Sequence, residues 1–163
     1  MRHRLDNFVP HFDAWMKDQS SSQLREFVGD LLNTAATDAR LTNFFLKVVE
    51  LLQNGLDVPE PFLLAIREEA DDYDRIACRR LMLSEEGVGY NVEEYLPYFR
   101  KARAAAAIVE AATANAGSSL KESLYEALFA VRDRAGLLNR IASQYGLETS
   151  SIDSHNEING GCQ

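Results

Sequence analysis

Apolar side chains recur at steps of three and four along nearly the whole chain, and nowhere do they alternate singly with polar ones over a strand's length. Steps of three and four place side chains on one side of an α-helix. No run of four to eight residues combines alternation with β-branched or aromatic enrichment, so no strand is expected. Only four prolines and nine glycines interrupt 163 residues, which leaves room for long helices. The pattern predicts an all-α fold, and the length is that of a single domain with a core of its own.

Six helices can be read from the spacing. The first covers 5–17, with Leu5, Phe8, Val9, Phe12, Trp15 and Met16 on one face; Pro10 fits only at its start or at a kink. Ser20 and Gln23 have the spacing of a capping box for a second helix with Leu24, Phe27, Val28, Leu31 and Leu32 as its stripe. The third covers 38–53. Eight of the twelve residues over 41–52 are large and apolar, the mark of a central, buried helix. Asn54-Gly55 stops it, glycine being suited to a left-handed end. Pro59 and Pro61 start the fourth, which ends near Ser84.

Asn91 and Glu94 cap the fifth helix, whose small-residue run of Ala102, Ala104 to Ala107, Ala111, Ala112, Ala114 and Ala116 lets a neighbour approach closely. A turn at Ala116-Gly117 and a capping box at Ser119 and Glu122 lead to the sixth. There Leu124, Leu128, Val131, Ala135, Leu138, Ala142 and Tyr145 form a heptad seam, weakened at Gly136 and stopped by Gly146. Helices joined by so short a turn form an antiparallel hairpin. The expected architecture is therefore a bundle of five to six helices over 1–152, with a central hydrophobic helix, a C-terminal helical hairpin and a disordered tail over 153–163.

The net charge is −8, unevenly spread. Residues 57–90 hold nine acidic side chains against four basic ones, and 147–163 hold three against none. This average field repels a polyanion. Cys78 and Cys162 form neither a disulfide framework nor a metal pair, which suggests reduced thiols and a cytoplasmic protein. No signal-peptide run, prenylation box or stretch of 18 apolar residues is present, so no membrane association is expected.

Signatures of catalysis are sparse. His3, His11 and His155 have no metal-ligand spacing, and no P-loop, nucleophile elbow or dinucleotide fingerprint occurs. No metal or cofactor is expected. The Gly87–Gly89 loop precedes a helix start but is flanked by Glu85 and Glu86. Glu68, Glu69, Asp71, Asp72 and Asp74 form an acidic cluster, with Glu68 and Asp72 four apart on one face. The cluster suits the positive end of its own helix, and also a basic partner. Tyr90, Tyr95, Tyr98 and Phe99 gather at the start of the fifth helix; Tyr95 and Phe99 fit the core stripe, and Tyr98 is the candidate aromatic anchor for a partner.

Near the C-terminus, Ala142 and Gly146 stand four apart with Ile141, Tyr145 and Leu147 around them, Thr149 in a capping place and Ile152 beyond. The stretch GLLNRIASQYGLETSSI is similar to the helix-turn-helix of small bacterial repressors and antitoxins. That resemblance implies DNA binding, with Thr149, Ser150, Ser151 and Ser154 on the base-reading side. No Lys or Arg follows Gly146 to contact phosphate.

The sequence therefore leads first to a non-enzymatic protein–protein interaction or regulatory protein, through a partner or through self-association such as a homodimer. Glu68, Glu69, Asp71, Asp72 and Tyr98 are its candidate contact residues. A DNA-binding regulator using 138–155 is the alternative, and an enzyme built on the carboxylates of 68–74 comes third.

Overall fold

The structure is a computed structural model that describes residues 4–85, 92–113 and 118–150. Among these residues the chain is all-helical, without a strand. A 3-10 turn over Arg4–Asn7 precedes seven α-helices: α1 Phe12–Lys17, α2 Ser21–Asp38, α3 Asn43–Gln53, α4 Glu60–Glu85, α5 Val92–Thr113, α6 Ser118–Ala130 and α7 Arg134–Tyr145.

There are more helices than the spacing predicts because two of the expected ones are broken. The first breaks at Pro10-His11. Proline has no amide hydrogen to donate, and His11 takes a left-handed φ of 64° before α1 begins. The expected sixth helix breaks at Arg132-Asp133, where three polar anchors converge. The Asp38 carboxylate accepts from the Arg132 amide at 2.6 Å, the Arg134 Nε donates to the Leu128 carbonyl at 3.1 Å, and Asp133 accepts from the Gly136 amide at 2.8 Å. Asp133 is thus an N-cap, and the glycine that weakens the seam sits in the first turn of α7.

Other ends follow the expected chemistry. Ser20 and Gln23 form the reciprocal capping box. The α2 helix runs on to Asp38 and ends with Arg40 in a left-handed conformation, φ 57°. The Leu41 amide reaches the Ala36 carbonyl and the Arg40 amide reaches Thr37, so the last carbonyls are satisfied. The same motif closes α3. Leu56 N donates to Leu51 O at 2.9 Å and Gly55 N to Leu52 O at 3.1 Å, with Gly55 at φ 66°.

α5 touches α2, α3, α4 and α6 and lies at the centre of the fold. The α4–α5 pair is antiparallel: Asp74 meets Arg103, and Arg80 meets Glu94. So is α5–α6, where Arg103 meets Glu126 and the buried Ser123 hydroxyl donates to the Ala107 carbonyl at 2.8 Å. The hairpin expected of these two helices is therefore present. Ala102, Ala104, Ala105 and Ala107 are all buried, so the small-residue face is spent on packing α5 within its own bundle. α3 sends Phe45, Val48 and Val49 into the core, while its Phe44, Leu46 and Leu52 are partly buried against it.

The two ends of the described chain meet. Trp15 Nε1 donates to the Tyr145 carbonyl at 2.8 Å, and the Ser150 amide donates to the Phe8 carbonyl at 2.8 Å. Phe12, Trp15, Phe27 and Tyr145 stack together at ring separations between 4.9 and 6.0 Å. Among the described residues, no helix is long and apolar enough to cross a membrane.

Candidate binding groove

Three of the five expected contact residues, Glu69, Asp72 and Tyr98, have partners within the chain. Glu69 accepts a hydrogen bond from the Tyr73 hydroxyl at 2.7 Å. Burial first, and then that carboxylate, raise the Tyr73 pKa well above the ordinary phenol value. Asp72 pairs with Arg75, and Asp74 with Arg103 at 2.6 Å. Glu68 and Asp71 are exposed on α4. Tyr98 lies half-buried beneath the Arg80 guanidinium, 4.6 Å from its ring centre, and Tyr95 is buried against Phe99. Among the described residues, no group of three or more His, Cys, Asp or Glu could hold a metal ion.

Thr149 and Ser150 follow Gly146 as non-helical chain and are half-buried, while Ser151 and Ser154 lie outside the described residues. So do His3, His155, the Gly87–Gly89 loop, Tyr90, Asn91, the Ala116-Gly117 turn and the tail. His11 is exposed. Cys78 is disulfide-bonded, which corrects the reading of its thiol as reduced; the chain's other cysteine, Cys162, lies outside the described residues.

Two polar networks brace the surface. Arg103 on α5 donates to Glu126 on α6 at 3.0 Å and to Asp74 on α4 at 2.6 Å, with its Nε buried and unbonded. The Glu126 side chain is only 9% exposed. Burial raises its pKa even though the Arg103 charge opposes the shift. On the far side of α2, Asp30 accepts from Arg140 at 2.6 Å and from the Tyr145 hydroxyl at 3.0 Å, and Arg140 also reaches Thr34. Burial, reinforced by Asp30, pushes Tyr145 up to about 12.

A polar concavity of about 550 Å³ lies beside this second network, between Asn33, Thr37, Arg40 and Arg132. Much of its bonding capacity is already used, since Asp38 holds the Arg132 amide and Thr34 holds Arg140.

The larger concavity, about 690 Å³, is of a different kind. Met16 of α1, Leu24 and Val28 of α2, and Leu52 of α3 supply one part of its wall. Ala111 of α5, Leu120 of α6 and Leu56 after α3 supply the rest. Local structure explains why these side chains gather there. The left-handed Gly55 turns the chain so that Leu56 leaves the helix and stands at the groove, 55% exposed. A Cβ on Gly55 would stand 3.2 Å from the Arg25 Cδ, so the Arg25 stem lies directly across the turn.

The rim is polar: Asp13, Lys17 and Arg25. The Asp13 carboxylate is engaged by Lys121 Nζ at 2.6 Å, and the same ammonium reaches Asp6 at 3.2 Å. Lys121 is 11% exposed. Burial alone would lower its pKa, but the two carboxylates outweigh burial and raise it. This bridge ties the N-terminal segment to α6 and fixes one edge of the groove.

No residue in the groove has the acid–base or nucleophilic pairing of a catalytic site. What the groove offers is exposed apolar area between helices, with charge at the edge. Sequence reasoning missed it because its walls come from five helices and a turn. The legible signal was the Asn54-Gly55 stop, followed at once by a leucine with no place in the helical stripe. The chain matches no known family model, no curated protein and no solved structure.

Proposed function

We propose that this chain is a helical protein–protein interaction module that receives an amphipathic helix of a partner protein in the groove between α1, α2, α3 and the α5–α6 pair. The observation that carries the reading is the groove itself: an open trough of about 690 Å³ walled mainly by Leu, Val, Met and Ala, with Leu56 more than half exposed at its edge. Apolar anchors at helical spacing fill such a trough, and burying them is favourable by about 25 cal/mol per Å² before the cost of association. The self-pairing that the alanine-rich run suggests is not part of the reading, because Ala102, Ala104, Ala105 and Ala107 of that run are buried inside the bundle.

The test is calorimetric titration of the full chain with a leucine-faced amphipathic helical peptide of neutral flanks. The expected result is binding with a negative heat-capacity change. It should be abolished by Leu56→Asp and retained by Met82→Asp, a change at an equally exposed site distant along α4. Binding unaffected by Leu56→Asp, or no binding at all, overturns the reading.

A further inference from the structure

The groove's rim also carries information about the charge of its occupant. We infer, resting on the docking reading above, that the partner helix presents acidic side chains beside its apolar anchors, and that Lys17 and Arg25 select it.

Lys17 and Arg25 are exposed at the groove's edge. Neither side chain makes a hydrogen bond or ion pair with another described residue. The third charged group on the rim, Asp13, is paired with Lys121 at 2.6 Å, an ammonium it shares with Asp6. Asp18 and Glu26 follow Lys17 and Arg25 directly in sequence but do not line the groove; adjacent residues on a helix point in different directions. The two charges on the rim that have no side-chain partner are therefore both positive, on a chain whose net charge is −8. A positive local field rejects cationic segments and admits an acidic one.

Both cations sit beside apolar walls of the groove. Arg25 lies against Gly55, its Cδ to Cζ atoms within 3.4 Å of where a Cβ would stand. Its guanidinium thus lies beside the turn that carries Leu56. Lys17 closes α1, and Met16 beside it is a groove wall. Leu56 and Met16 thereby each have a cation nearby. That arrangement fits a helix in which Leu-type residues alternate with Glu or Asp one turn away.

The experiment uses the full chain and three fluorescent helical peptides with one leucine face and flanks of Glu, Gln or Lys. Anisotropy is read at low and at high salt. The Glu peptide is expected to bind about tenfold tighter than the Lys peptide at low salt, two exposed pairs gained against two repulsions. The gap should narrow as salt screens it. In Lys17→Glu/Arg25→Glu, whose helicity is checked by circular dichroism, the preference should reverse. Equal binding of all three peptides overturns the charge selection and leaves the groove reading standing. If none of the three binds, both fall.

Discussion

At the scale of single residues, the sequence shows which side chains share a helical face but not which distant face they meet. Glu68 and Asp72 are visibly neighbours; that Arg103 would join Asp74 to Glu126 is not, because the pairing depends on how α4, α5 and α6 stack. Such a buried charge is stabilising only as a set. Replacing Arg103 with Met removes the cation from a carboxylate that is 9% exposed. Removing one partner of a buried pair costs on the order of 3 kcal/mol. The pH dependence follows from Glu126, whose pKa is raised in the folded state chiefly by burial. The folded protein then holds that proton more tightly than the unfolded chain. Its contribution to stability is present at low pH and is lost as the pH rises through the folded pKa, the reverse of an ordinary ion-paired carboxylate. Without Arg103 the shift grows. Urea denaturation of Arg103→Met should therefore show the full loss at neutral pH and a smaller one near pH 4; a loss equal at both would mean that Glu126 is not the group left uncompensated.

At the scale of elements, helix type and most boundaries were legible, and the breaks were not. The capping box at Ser20, the glycine stops at Gly55 and Gly146 and the proline start of α4 read directly, since each is local chemistry. The heptad seam across Leu124 to Tyr145 reads as one helix because apolar periodicity continues through the interruption. It is Asp38, 94 residues from the amide it captures, that helps stop α6 at Ala130. Asp133, three residues before Gly136, was the local signal, with the same spacing as Ser20 and Gln23. Asp133→Ala should cost about 1 kcal/mol of stability, with the earliest loss of amide-exchange protection in α7. Unchanged protection across 134–138 would show that the cap does not hold this helix.

At the scale of the whole molecule, periodicity and composition settle the class, all-α and single-domain, because an amphipathic helix must bury its stripe on another. They do not reveal surface shape. The alanine-rich run advertises close approach without saying to what, and the bundle itself uses it. The acidic cluster advertises a partner, yet several of its members bond within the chain. The groove comes from segments far apart in sequence, Met16 to Leu120, and so appears only once they are assembled. That groove is the central claim, and mapping amide chemical shifts of the full chain during titration with the Glu-flanked leucine peptide tests it most directly. The account predicts shifts concentrated at Met16, Leu24, Val28, Leu52, Leu56 and Leu120, saturating together. Shifts centred on α4 around Glu68 and Asp72, or none at saturating peptide, would contradict it.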